Sequence, residues 1–305
     1  MKTPILLLVF NRPSTTRLVF EAIQQAQPEQ LFIAADGPRP DRISDAELCR
    51  ETRSILNNVN WKCKVHTLFR ETNIGCRNAV SSAINWFFAQ VDEGIILEDD
   101  CLPHQTFFPY CEKLLEYYRH DSRIMQICGS NFQFGQHRGD GSYYFSKYSH
   151  IWGWASWQRA WQLYDVDMKT FPTFKDQRCI ESIFSEPRVQ QYWMMNFQKM
   201  YEKKIDTWDY QWVYAIWSNN GLSIIPNTNL VSNIGFGEDA THTKSPNTVG
   251  SNQLISSMNE IIHPTFVLQN KIADEYSSKR LYTYDGKWIT LIKRQQKKIK
   301  NFITK

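Results

Sequence analysis

The chain has 305 residues, 42% of them hydrophobic and 14% aromatic, enough to bury a large core in one compact domain or two closely joined lobes. Its formal net charge of +4 is small and spread out except near residue 305, so nothing in the main body reads as a nucleic-acid-binding surface. Seven cysteines form no Cys-x-x-Cys pair, which excludes a zinc ribbon or a dithiol redox motif; the odd count suits a reducing cytoplasm better than a disulfide framework.

Pro4 to Phe10 is apolar, too short to span a bilayer and without a signal-peptide cleavage pattern, and reads as a first strand over Ile5–Phe10. The turn Asn11-Arg12-Pro13-Ser14 offers Ser14 as a helix cap, with Leu18, Val19, Ala22 and Ile23 as the apolar stripe behind it. Leu31–Ala35 predicts a second strand ending at the turn Asp36-Gly37-Pro38. A polar helix over Asp45–Asn57 leads to a third strand, Cys63–Phe69. The run Arg70 to Asn78 then precedes a helix over Ala79–Phe88. Repeated strand-helix units predict an α/β fold with a mixed, mostly parallel sheet flanked by helices.

The next strand ends in the stretch Gly94-Ile95-Ile96-Leu97-Glu98-Asp99-Asp100. Three adjacent acids repel one another unless a positive charge sits among them, and open α/β sheets bind ligands at the carboxyl ends of their strands. A divalent cation holding a phosphorylated substrate meets that requirement, because hard Mg²⁺ or Mn²⁺ takes carboxylate and phosphate oxygens. A solvated acidic turn is the plain alternative. No Gly-x-Gly-x-x-Gly follows the first strand and no Gly-x-x-x-x-Gly-Lys-Ser/Thr is present. The residues left at strand ends to hold a nucleotide are Asn11, Arg12, Asp36, Arg77 and the acidic triplet.

Further along, His104–Tyr118 has helical spacing, Ile124–Cys128 reads as a strand and Gln133–Ser142 as a surface loop. Trp152, Trp154, Trp157 and Trp161 lie within ten residues. Such density serves core packing, or places an indole under an acceptor sugar, with Trp152 and Trp154 the candidates. Glu186–Lys204 predicts a helix. Asp206 or Thr207 is placed to cap the next one, which carries Trp212, Val213, Ile216 and Trp217 on its apolar side and Asp209 in its first turn. Leu222–Ile225 is a late strand, and Val231–Thr243 reads as a loop able to close over a ligand. Lys293–Lys305 is a basic run: a solvated end, or a peripheral contact with anionic lipid.

Together, Pro4–Arg12, Ala35-Asp36-Gly37, Asn73-Ile74-Gly75-Cys76-Arg77-Asn78 and Ile95–Asp100 resemble a GT-A glycosyltransferase. The likeness covers roughly the first 240 residues and is greatest to the N-acetylglucosaminyltransferase I type and its bacterial sugar-transferase relatives. It implies a GT-A (Rossmann-like) domain over 1–245, with a nucleotide-sugar-binding half at 1–130 and an acceptor and catalytic half at 131–245. A helical extension with a basic tail would follow at 246–305. By this resemblance Asp100 holds Mn²⁺ (or Mg²⁺), Glu98 and Asp99 contact the donor, Asp36 reads the base, Arg12 approaches the phosphates and Arg77 is a looser match. Asp209 would be the catalytic base, with Asp206 its rival, and His242 would reach the metal or diphosphate. The implied activity is metal-dependent, inverting transfer of a sugar from a nucleotide-diphosphate sugar, UDP-linked, to a glycan or lipid-linked glycan hydroxyl in bacterial surface polysaccharide or lipopolysaccharide assembly. The expected setting is cytoplasmic, peripheral to the inner face of the plasma membrane, with no nucleic-acid partner. A nucleotidyltransferase making sugar nucleotides and a non-catalytic glycan-binding protein are the competing readings.

Overall fold

The structure is a computed structural model describing residues 1–235 and 253–282. Its first half alternates strand and helix: β1 (Ile5–Val9), α1 (Pro13–Ala26), β2 (Gln30–Ala35), α2 (Ile43–Ile55), β3 (Lys64–Phe69), α3 (Cys76–Phe88) and β4 (Glu93–Glu98). A short β5 (Cys101–Pro103) turns the chain into α4 (Phe107–Tyr117) and β6 (Ile124–Cys128), followed by β7 (Tyr143–Ser146) and β8 (Trp154–Trp157). Four helices come next, α5 (Gln158–Trp161), α6 (Phe171–Asp176), α7 (Ile180–Ile183) and α8 (Pro187–Tyr201), and then α9 (Asp209–Ser218). β9 (Leu222–Pro226), β10 (Val231–Asn233) and α10 (Lys271–Leu281) complete the described elements.

Eight strands form one sheet in the order β3-β2-β1-β4-β8-β6-β9-β7, and β5 pairs with β10 in a separate ribbon. β3, β2, β1 and β4 are parallel neighbours. β8 is antiparallel to both β4 and β6, so those two run the same way; β9 is parallel to β6, and β7 at the edge, like β8, runs against the rest. The sheet is therefore mixed and mostly parallel, with helices on both faces.

Burial on both faces explains why β1 reads as an unbroken apolar run rather than an alternation. Ile5, Leu7 and Val9 join the core formed with α1, α2 and α4, while Leu6 and Leu8 join the core formed with α3, α5, α8 and α9. The tryptophans divide the same way: Trp157 belongs to the first core and Trp154, Trp161, Trp208 and Trp212 to the second.

Several local expectations are corrected. Ser14 is not a cap, because α1 begins at Pro13 with Arg12 as its N-cap residue; proline is preorganised for the first helical position and shifts the start two residues earlier. Leu18 is exposed and Phe20 takes its place in the buried stripe. Neither Asp206 nor Thr207 caps α9, whose N-cap residue is Trp208 with no side-chain cap bond. Strands β5, β7, β8 and β10 escape the sequence reading because three or four residues carry too little periodic signal. Val231–Asn233, expected in a loop, is β10. Residues 236–243 of that loop and the basic run Lys293–Lys305 lie outside the described residues. All seven cysteines are free, and no helix among the described residues is long and apolar enough to cross a membrane.

Gly94, in β4 beneath the acidic triplet, has no room for a side chain: a Cβ there would overlap the Phe87 ring and the Pro4 carbonyl. Gly94→Ala is expected to cost about 1–3 kcal/mol through overpacking, read as a lower midpoint in thermal unfolding. An unchanged midpoint would mean that Phe87 swings aside freely.

Candidate active site

β1, β2 and β4 end side by side, and the residues just past their carboxyl ends define one wall of a cavity of about 630 Å³. Arg12 is central to this wall. Its guanidinium pairs with Asp99 through Nη2 and with Asp100 Oδ2 through Nη1 at 2.7 Å. The Phe10 backbone N–H donates to the second oxygen of Asp99 at 3.1 Å. The side chains are 18%, 3% and 12% exposed for Arg12, Asp99 and Asp100, so these charges are largely desolvated.

That setting shows in the protonation equilibria. Burial, and then the charges of Asp100 and Asp99, push the Glu98 carboxyl well above the usual carboxylate range. Burial raises Asp99 as well, against the opposing pull of Arg12. Burial disfavours the Arg12 cation, yet Asp99 and Asp100 outweigh it and hold the guanidinium charged.

Asp36, at the end of β2, also faces the cavity. Its carboxylate accepts N–H bonds from Gly37 at 2.9 Å and Ile74 at 3.2 Å, fastening the loop before α3 to the end of β2. Burial raises its carboxyl and these bonds oppose the rise. Arg39 and Arg70 line the same region. Arg39 is bonded through Nε to Asp45 at 2.6 Å and lies over the Phe10 ring.

Further lining comes from residues 205–210, with Ile151 and Trp152. Asp209 is the first residue of α9, where the helix dipole favours a carboxylate, and it accepts the Thr207 hydroxyl. Asp206 has a different task. It accepts the N–H groups of Cys76 at 2.8 Å and Arg77 at 2.9 Å, capping α3 from 130 residues away. The positive end of α3 would otherwise bind an anion; Asp206 already supplies one. Gly75 has φ +82°, and a Cβ there would lie 2.7 Å from the Asp206 carboxylate, so both backbone conformation and close approach require glycine.

Arg12, Asp36, Glu98, Asp99, Asp100, Trp152 and Asp209 thus line one cavity. Three other candidates point elsewhere. Asn11 donates to Asp45 at 2.9 Å, and Arg77 donates to the Val166 carbonyl and Asp167; neither lines the cavity. Trp154 is fully buried between Trp208 and Trp212, which corrects its expected place beside an acceptor. His242 lies outside the described residues.

Sequence reasoning passed over Arg39, Arg70, Asn233 and Gly235, which also line the cavity. Arg70 directly follows Phe69, the last residue of β3, so the strand-end rule alone would have found it. Gly235 carries no such signal. The β5/β10 ribbon brings it against Asp100, and a Cβ on it would lie 2.7 Å from Arg12 Nη1.

The donor set suits a hard divalent cation held jointly with a ligand. Among the described residues no three carboxylate, imidazole or thiolate side chains converge as a closed metal nest. Mg²⁺-type ions, however, commonly take one or two protein carboxylates and complete their shell with phosphate oxygens and water. Glu98, Asp99 and Asp100 line the cavity together, and Arg12 pairs with the last two.

No protein-family model matches the sequence, and no curated protein matches it. Solved structures show weak similarity. HddC from Yersinia pseudotuberculosis aligns at TM-score 0.31 and 9% identity, over 52% of this chain and 77% of that one. A UDP-glucose pyrophosphorylase complexed with UDP-glucose aligns at 0.28 and 10%, over 53% and 71%. Mouse xyloside xylosyltransferase 1 aligns at 0.26 and 13%, over 44% and 54%.

Asp206→Ala is expected to cost about 0.5–2 kcal/mol, the usual worth of a helix cap, seen in denaturant unfolding as a lower midpoint; Asp209→Asn should leave that midpoint in place. Equal stability of Asp206→Ala and the parent protein would show that water replaces the cap. Gly235→Ala should displace the Arg12–Asp100 pair, which an altered Arg12 side-chain resonance in NMR would report.

Proposed function

We propose that the chain is a metal-dependent glycosyltransferase that moves a sugar from a nucleotide-diphosphate sugar, UDP-linked in the family it resembles, to a hydroxyl of a glycan. The observation that carries this reading is that Asp209, far from the acidic triplet in sequence and at the start of a different element, lines the same cavity as Glu98, Asp99 and Asp100. In an inverting transfer the acceptor oxygen bonds to the anomeric carbon as the carbon–oxygen bond to the diphosphate breaks. The electron pair leaves with the diphosphate, and the hydroxyl proton needs a base on the acceptor side. Asp209 is assigned that role and Asp206, committed to α3, is not.

Asp100 is the proposed metal ligand, with Glu98 and Asp99 turned to the donor and His242 a further candidate. When bound, Mn²⁺ or Mg²⁺ supplies positive charge to the departing diphosphate. Arg12, fixed by its carboxylates, contributes charge on the phosphate side, and Asp36 is proposed to read the base. Residues 1–130 would then serve the donor and 131–245 the acceptor, in surface polysaccharide assembly at the cytoplasmic face of a membrane.

The rival chemistries fit less well. A sugar phosphate attacking a nucleoside triphosphate is already ionised and requires no base such as Asp209. A glycan-binding protein relying on the tryptophan-rich run would have Trp152 alone of its four indoles to offer, because Trp154, Trp157 and Trp161 are buried.

Asp209→Asn should keep donor affinity and lose transfer by a factor of about 10² to 10⁴, measured by sugar transfer and by donor calorimetry on the same preparation. Transfer near the parent rate would remove Asp209 from the mechanism, and release of pyrophosphate from a nucleoside triphosphate and sugar phosphate would establish nucleotidyl transfer instead. Asp100→Asn should remain folded and lose most Mn²⁺-dependent affinity for nucleoside diphosphate; unchanged affinity in calorimetry would move the metal to another residue.

A further inference from the structure

The segment between α8 and α9 is held at three points. Asp206 accepts the backbone N–H groups of Cys76 and Arg77. The Thr207 carbonyl accepts the side-chain amide of Gln211, itself fully buried, at 2.8 Å, and the Trp208 carbonyl accepts the Tyr164 hydroxyl at 3.2 Å. Thr207 is thus fixed from both sides, by α3 through the residue before it and by α9 and Tyr164 through its own carbonyl and the residue after it. Branching at Cβ leaves threonine few χ1 rotamers. Its hydroxyl donates to Asp209 Oδ1, and both residues line the cavity.

Where Asp209 stands gives that bond its weight. α9 starts without a side-chain cap, and the first N–H groups of a helix have no partner within it. A carboxylate at the first helical position is drawn back toward those groups and the positive end of the dipole, where it would serve the helix and not a substrate. A donor on the residue before the helix, itself facing the cavity, holds one carboxylate oxygen against that pull. The hydrogen bond also favours the ionised form of the acid.

We infer that Thr207 is a positioning residue for the proposed base, its hydroxyl holding the Asp209 carboxylate in the orientation that meets an acceptor. The inference rests on the proposed function. Thr207 keeps its own proton throughout; the proton of the acceptor hydroxyl goes to Asp209. Asp209 is a base only while ionised, so transfer falls as pH drops through its titration. Without the Thr207 hydroxyl the carboxyl is protonated more easily, and that fall moves to higher pH. The other groups that feel the Asp209 charge are Glu98 at the end of β4, Cys76 at the start of α3, Tyr164 after α5, Tyr210 in α9 and Tyr282 beyond α10. A substitution at Thr207 alters none of these charges.

The deciding measurement uses no sugar, so its failure is separate from failure of the proposed function. The full chain is labelled at its aspartate carboxyl carbons, Asp209→Asn identifies the Asp209 resonance, and its titration is followed by NMR. Thr207→Val and Thr207→Ala, which both lack the hydroxyl, are expected to titrate at higher pH than the parent protein. Thr207→Ser, which restores the donor, is expected to titrate with the parent. Thr207 is half-buried, and the alanine variant serves should the valine crowd its neighbours. In the sugar-transfer assay the valine and alanine variants should lose up to about 10²-fold in kcat with acceptor KM unchanged, and serine should recover the loss. Parent-like titration by both variants without the hydroxyl, a loss carried by KM alone, or no recovery with serine would each overturn the inference and leave Asp209 as the base. Near-parent transfer by Asp209→Asn would remove the base itself, and this role of Thr207 with it.

Discussion

The guanidinium of Arg12 between Asp99 and Asp100 is the contact on which the acidic wall depends. It joins the start of α1 to the end of β4 across β1, and all three side chains are largely removed from water. A buried ion pair is weak evidence for stability, because desolvation offsets much of the attraction. Removing the cation would nevertheless leave adjacent buried carboxylates uncompensated. Asp99 is fixed further by the Phe10 N–H and Asp100 by the Ile234 N–H on its carbonyl. Such a group is better described as charge held ready than as a staple of the fold.

The parallel part of the fold was open to sequence reasoning because its signals are local and long. β1, β2 and β4 are apolar runs ending in charged or turn residues, and α1 to α4 show helical spacing. The antiparallel part was not. β8 contains four residues that are all buried, so no alternation marks it, and its insertion between β4 and β6 follows from pairing across distant segments.

The same limit separates the candidate residues. Arg12, Asp36 and the acidic triplet sit at strand ends, a position readable from sequence, and they do face one cavity. Asn11 and Arg77 look equivalent in sequence, yet nearby acids, Asp45 and Asp167, bind them first. Asp206 and Asp209 are three residues apart and of the same type. Only the tertiary contact with the start of α3 gives one a structural task, and no local pattern announces a cap supplied from 130 residues away.

The two parts of the cavity lining differ in how firmly they are set. Asp209 begins a helix in which Gln211 through Trp217 are all buried. Trp212 donates its indole N–H to Gln126 of β6 at 2.6 Å, Gln126 donates to the His150 carbonyl at 2.7 Å, and Trp154 lies between Trp208 and Trp212. Tilting α9 would break a buried hydrogen bond and open space among closely packed rings, both costly in a dense interior. The Asp206 contact fixes the segment just before it. Gly235, by contrast, touches the Arg12–Asp100 pair from just beyond the three-residue ribbon of β5 and β10, a much smaller element. A ligand that needs room is therefore expected to displace the Gly235 side and leave Asp209 where it stands, so the position of the proposed base is set by the fold.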